Sequence, residues 1–83
     1  MSYSDDTRAL INSLRCPISG IIMGDPVILS CSGLSYERSV LENWMRLRGT
    51  DPESGEALQE DARVMENICL KELIQAILAN MGN

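Results

Sequence analysis

Apolar residues recur with helical spacing near the end of the chain. After Asn67 the apolar positions follow one another at i, i+3, i+4, i+7, i+8 and i+11: Leu70, Leu73, Ile74, Ile77, Leu78 and Met81. Residues with this period lie on one face of an α-helix, and an asparagine before them can cap the first turn. The pattern therefore predicts a closing helix over Ile68–Met81.

A second helical pattern starts at Glu37 and ends at Gly49, a residue type that commonly follows the last turn of a helix. Its apolar residues fall on one side, which Met45 widens: Val40, Leu41, Trp44 and Leu47. This surface is broader than one seam against a small core requires. It leaves room for part of Trp44 or Met45 to face a partner.

The segment before this helix has the composition of a β-hairpin. Residues 27–29 are a short apolar run typical of a strand, Ser32 and Gly33 form a turn signal, and residues 34–36 can return as a second strand. We expect the closing helix to pack on this hairpin and on the middle helix.

The remaining segments are a short helix and two loops. Ser4 followed by two aspartates predicts an N-cap and a helix over residues 5–14. Four prolines and glycines then break regular structure and leave several isoleucines on an irregular segment, here called the first loop (residues 15–25). Residues 50–56, here called the second loop, are polar and contain Pro52 and Gly55.

Composition narrows the class of protein. The chain has 83 residues, enough for one domain with a small core. A net charge of −5 with only seven Lys and Arg residues argues against nucleic acid as a partner and suits a basic protein surface. No apolar run approaches about 20 residues, so we expect a soluble protein that does not engage a membrane.

The chain has three cysteines and no histidine, whereas a structural zinc site takes about four such ligands. We therefore expect no metal. Three cysteines cannot all pair and residues 1–15 do not resemble a signal peptide, so we expect a reducing compartment, the cytoplasm or the nucleus. No neighbouring base activates Cys16, and buried structural roles are predicted for Cys16, Cys31 and Cys69, with Cys31 the more exposed.

The order of these elements and five short fragments resemble the U-box family of ubiquitin ligases. The fragments are CPIS at residues 16–19, MGDPV at 23–27, SGLSYER at 32–38, the tryptophan at 44, and DPESGEAL at 51–58. The resemblance covers residues 15–81 and leaves residues 1–14 as an N-terminal helical extension. It implies an α+β fold like that of RING domains but without zinc, with two cross-braced loops, a hairpin, a central helix and a C-terminal helix.

The resemblance also implies a function. A U-box docks a ubiquitin-conjugating enzyme that carries ubiquitin as a thioester, and promotes transfer to a substrate lysine without forming a covalent bond itself or using a cofactor. Carried over by position, the docking residues are Ile18, Gly20, Trp44 and Pro52. Substrates would bind through regions not present here, and relatives often self-associate through the closing helix, so a homodimer is possible.

Polar side chains in such a domain take over the bracing that zinc supplies elsewhere. The resemblance points to Glu37 and Arg38, with Asp25 and Ser32 as further candidates. From the residues alone a simpler interpretation stays open, in which Ile18 and Trp44 belong to the core and Pro52 shapes a turn.

Two positions depart from the family. Gly55 stands where many active relatives have an arginine, and Gly20 stands where relatives often have a bulkier residue. Glycine has no donor fork, so the alternative is a binding or assembly module with little transfer activity.

Overall fold

Three helices and one small sheet form the structure, a computed structural model in which residues 5–81 are described. In chain order the elements are α1 (Asp5–Ser13), β1 (Pro26–Leu29), β2 (Ser35–Glu37), α2 (Arg38–Arg48), β3 (Val64–Glu66) and α3 (Ile68–Met81). The sheet is antiparallel with the strand order β2-β1-β3. The predicted α+β class is confirmed, while the predicted cap Ser4 lies outside the described residues.

The predicted hairpin is formed by β1 and β2. Val27 lies opposite Tyr36, and the turn closes where the Gly33 N–H donates to the Leu29 carbonyl oxygen at 2.8 Å. Gly33 has φ of 73°, a left-handed conformation that glycine adopts without steric cost. The turn signal in the sequence therefore marks the correct place for the chain to reverse.

The third strand was not predicted. β3 pairs with the free edge of β1, with Ile28 opposite Met65, and Ser30 extends the contact through its N–H to the Arg63 carbonyl oxygen at 2.8 Å. This strand has three residues, of which Val64 alone is β-branched. Its pairing partner lies more than thirty residues earlier in the chain, so the local pattern carries almost no strand signal.

The core lies around β1. Val27, Leu29 and Leu41 are fully buried at 0% exposure, and Tyr36 and Ile74 add side chains from β2 and α3. Ile11 and Leu14 from the N-terminal segment are also buried. Three stripe residues do not follow the prediction for α2 and α3: Leu47 is 72% exposed, Leu73 is 49% exposed and Leu78 is 43% exposed. The small core covers only part of the apolar face of each helix, so helical spacing places a residue on a face without placing it inside.

Both predicted helix boundaries have the expected geometry. Gly49 follows α2 with φ of 62°, and its N–H donates to the Met45 carbonyl oxygen at 2.9 Å. Asn67 precedes α3, and its Oδ1 accepts a hydrogen bond from the Leu70 N–H at 3.1 Å. The main packing contact of α3 is with β1. Within residues 5–81, no helix is long and apolar enough to cross a bilayer.

We predict that Asn67→Ala lowers the free energy of unfolding by about 1 kcal/mol or more, because it removes a helix cap. It also removes the bond from Asn67 Nδ2 to Ser35 Oγ, 3.2 Å long, which joins α3 to β2. Asn67→Asp keeps the cap and should cost less. Urea unfolding measures both, with Asn80→Ala, an exposed change on the same helix, as the control. A loss with Asn80→Ala equal to that with Asn67→Ala would contradict the cap's importance.

Candidate functional site

The first loop folds into a compact turn at residues 16–22. Arg15 and Ile22 form an antiparallel bridge, and the Cys16 N–H donates to the Ile21 carbonyl oxygen at 2.9 Å. The Gly20 N–H returns to the Cys16 carbonyl oxygen at 2.8 Å, and Gly20 has φ of 75°. These bonds define the backbone that carries Ile18.

Cys16 lies buried at the base of this turn and is only 1% exposed. Burial by itself raises the pKa of its thiol, but backbone hydrogen bonds from Glu37, Ser19 and Ile18 and the Ser19 hydroxyl outweigh it, so the pKa lies below its ordinary value. The sulfur atom is therefore surrounded by donors from the first loop and from the end of β2. This arrangement fits the structural role predicted for Cys16.

Glu37 and Arg38 contact the first loop from the start of α2. The Glu37 carboxylate Oε2 accepts hydrogen bonds from the Gly24 N–H at 2.8 Å and from the Asp25 N–H at 3.1 Å. Arg38 Nε lies 2.7 Å from Asp25 Oδ2, and this hydrogen bond raises the pKa of Arg38. Three of the four predicted bracing residues thus meet at one junction. Their bracing role stays a prediction.

Ser32, the fourth of these residues, makes a local contact. Its hydroxyl accepts a hydrogen bond from the Leu34 N–H at 3.2 Å within the hairpin turn. The hairpin turn instead reaches the second loop through Cys31, whose Sγ lies 3.5 Å from Asp51 Oδ2. Desolvation raises the pKa of the Cys31 thiol, and its hydrogen bond to Asp51 and the negative charge there raise it further.

The second loop is organised by Asp51, which is 8% exposed. Its Oδ1 accepts a hydrogen bond from the Glu53 N–H at 2.8 Å, and its carbonyl oxygen accepts one from the Gly55 N–H at 2.8 Å. The Asp51 N–H in turn donates to the Glu56 carbonyl oxygen at 2.8 Å. Pro52 follows Asp51 directly, so these bonds fix the backbone at the predicted docking proline.

Trp44 links α2 to the second loop. Its indole Nε1–H donates to the Thr50 carbonyl oxygen at 3.0 Å and to the Thr50 hydroxyl at 3.2 Å. The guanidinium carbon of Arg48 lies 4.8 Å from the centre of the indole ring. Thr50 also pairs with Ala57 in an antiparallel bridge, so the loop that receives the indole N–H is itself held.

The predicted docking side chains differ in exposure. Ile18, Trp44 and Pro52 are half-buried, and Ile18 packs against the core. Gly20 is exposed, and its neighbour Ile21 is 68% exposed. Ile18 and Trp44 are thus not fully buried, although Ile18 contacts the core, and their docking role stays a prediction.

Two contacts at this site were not predicted from the sequence. The role of Thr50 as acceptor could have been suspected, because a half-buried tryptophan N–H usually finds a partner. The stacking of Arg48 on Trp44 follows from their i, i+4 spacing on a helix. The prediction of buried roles is wrong for Cys31 and for Cys69, since both residues are exposed.

Across residues 5–81, no group of three or more Cys, Asp or Glu side chains is arranged to hold a metal ion. The first loop is joined to α2 by carboxylate and guanidinium contacts, and the second by an indole N–H. A three-stranded sheet, a central helix and two loops held in this way define a small domain of the RING-like class.

Comparison with known proteins assigns the family. The sequence profile of the U-box domain matches residues 12–83, and the chain belongs to the U-box family. It is 40% identical over 73 residues to U-box domain-containing protein 19 of Arabidopsis thaliana, which covers 87% of this chain and 10% of that protein. It is 41% identical over 74 residues to U-box domain-containing protein 1 of Medicago truncatula, covering 88% of this chain and 10% of that protein. The chain therefore spans about a tenth of the length of these relatives.

We predict that Glu37→Ala lowers the free energy of unfolding by about 1–2 kcal/mol, because the N–H groups of Gly24 and Asp25 lose a charged acceptor that water replaces only in part. Glu37→Gln keeps an oxygen acceptor and should lose less. Urea unfolding provides the measurement, with Glu72→Ala, an exposed acid on α3, as the matched charge control. Equal losses for Glu37→Ala and Glu72→Ala would show that the carboxylate does not brace the loop.

We also predict an order of cysteine alkylation at neutral pH. Cys69 should react first because it is exposed, and Cys31 should follow because its raised pKa lowers the thiolate fraction. Cys16 should react only after unfolding, since burial blocks access despite its lowered pKa. Mass spectrometry after timed iodoacetamide treatment measures the order, and a sample in denaturant is the control. Labelling of native Cys16 as fast as Cys69 would contradict the buried position.

Proposed function

We propose that this domain docks a ubiquitin-conjugating enzyme and promotes transfer of ubiquitin from its thioester to a substrate lysine. U-box domains are in general ubiquitin-ligase modules, and this chain belongs to that family. The domain acts by positioning: the reacting cysteine belongs to the conjugating enzyme, and holding the thioester-linked ubiquitin near the amine lowers the entropic part of the barrier. Substrates bind through regions outside this chain.

The observation that carries this proposal is the fixed position of Trp44. Its indole is half-buried, is held by two hydrogen bonds to Thr50, and leaves part of a large apolar surface in contact with solvent. Tryptophan is among the residues most enriched at the energetic centres of protein interfaces. Hydrogen bonds join the first loop to the start of α2 and the second loop to the end of α2. They hold the segments that carry Ile18 and Pro52 against the same helix.

Self-association through α3 has less support. Among residues 68–80 of this helix, the large apolar side chains that are exposed are Ile68, Leu73 and Leu78, at 57%, 49% and 43%. Residues five apart on a helix differ in direction by about 140°. The three side chains therefore do not form a single stripe for a second copy.

The test is lysine-dependent discharge of ubiquitin from a panel of preloaded conjugating enzymes. We predict that the native chain accelerates discharge and that Ile18→Ala reduces the acceleration by about tenfold or more, as expected for an interface hot spot. Ile68→Ala, an equal truncation on exposed α3, should leave the rate unchanged.

Unfolding midpoints of both variants show whether the fold persists, because Ile18 also packs on the core. Undiminished acceleration by a folded Ile18→Ala would place docking elsewhere. Binding without acceleration by any enzyme would instead support the assembly module.

Gly55→Arg is a poor probe of that alternative. Gly55 has φ of 78°, so any side chain there is strained, although no atom lies within 4 Å of an added Cβ.

A further inference from the structure

Arg48 differs from three other arginines of the loops and of α2 because none of its guanidinium N–H groups makes a hydrogen bond among the described residues. Arg15 donates to the Gly20 carbonyl oxygen, Arg38 pairs with Asp25, and Arg46 donates to Asn43. Among the described residues, the guanidinium of Arg48 has neither a hydrogen bond nor an ion pair, and its one recorded contact is with the Trp44 ring. It is exposed at the last position of α2, next to the second loop.

This guanidinium is oriented before any partner binds. The indole of Trp44 is fixed by its two bonds to Thr50, and Arg48 lies over its face with 4.8 Å between the guanidinium carbon and the ring centre. Stacking engages the flat face of the guanidinium and leaves its N–H edge available. A side chain held in this way loses less conformational entropy when it forms a hydrogen bond across an interface.

The second loop offers no competing cationic donor. Residues 50–56 contain neither lysine nor arginine, and their charged side chains are Asp51, Glu53 and Glu56. Gly55 supplies no side chain at all. A partner that covers Trp44 therefore meets the guanidinium of Arg48 beside an acidic loop.

We propose that Arg48 is a positioning and specificity-determining residue of the docking surface, whose N–H groups donate to a carboxylate or main-chain carbonyl oxygen of the bound conjugating enzyme. This inference rests on the proposed function. Within that function it selects enzymes that present an oxygen acceptor opposite the end of α2. Charged groups at the edge of an interface govern partner choice in this way.

The experiment measures binding of the uncharged conjugating enzyme to the native chain and to Arg48→Ala, Arg48→Lys and Arg46→Ala at several salt concentrations. Arg48→Ala should weaken binding about tenfold, as expected for loss of one charge-assisted hydrogen bond. Arg48→Lys restores the charge without the planar fork and should recover little. Arg46→Ala removes the same charge on the same helix away from the indole, and should change binding less than twofold.

A second measurement separates donation to the partner from a merely structural role. Trp44 is the one tryptophan of the chain, so the hydrogen-exchange rate of its indole N–H reports on the bond to Thr50. Exchange should stay slow in Arg48→Ala and in Arg48→Met, which keeps an unbranched chain beside the ring but has no donor, and Arg48→Met should bind as weakly as Arg48→Ala. Fast exchange in Arg48→Ala, or full binding by Arg48→Met, would overturn the inference in favour of packing.

Other outcomes also decide the matter. Equal losses for Arg48→Ala and Arg46→Ala would show a general charge effect and overturn the inference. Arg48→Ala could also bind the uncharged enzyme normally and yet slow ubiquitin discharge. That result would show that Arg48 contacts ubiquitin instead of the enzyme, and it would overturn the inference. If Ile18→Ala abolishes binding and Arg48→Ala does not, the inference fails alone. If the native chain binds no conjugating enzyme, both the proposed function and this inference fail.

Discussion

The carboxylate of Glu37 joins the first loop to the point where β2 meets α2. One oxygen accepts the backbone N–H groups of two successive residues, and the next residue in sequence, Arg38, pairs with the side chain of the second of them. A structural zinc ion binds with an apparent free energy of about 10–16 kcal/mol, whereas a hydrogen bond to a charged group contributes about 1.5–3 kcal/mol. Several weak contacts would therefore have to act together to replace a zinc ion, and Glu37 lies where β2 and α2 meet.

The parts of the fold that the sequence predicts are those with local causes. Asn67 caps α3 and Gly49 ends α2 because cap geometry involves residues within one turn. β3 was missed because its pairing is supplied by the distant edge of β1. The burial of Leu47, Leu73 and Leu78 was misjudged for a different reason. Helical periodicity gives a direction around the helix axis, and only the arrangement of the neighbouring elements decides how much of that face is covered.

In the candidate site, too, the contacts that depend on tertiary structure could not be predicted from local sequence. Spacing and composition show Glu37 only as the first residue of a helical pattern, and the family resemblance alone points to a bracing role for it. No sequence pattern indicates that Ser32 stays within its own turn while Cys31 reaches Asp51. Both are small polar side chains one position apart. Which of them faces the second loop depends on how the hairpin turn is oriented, a property of the tertiary structure.

Trp44 both holds the second loop in place and contributes to the exposed surface of the site. The N–H edge of the indole holds the second loop through Thr50, one face carries Arg48, and the part that remains exposed is available to a partner. Each use constrains the others, since the ring cannot rotate toward a partner without breaking its bonds to Thr50. In the proposed function, a partner therefore has to fit the indole and the guanidinium as they stand. A surface fixed in this way loses little conformational entropy on binding, and in the proposal its selectivity comes from the groups around the ring.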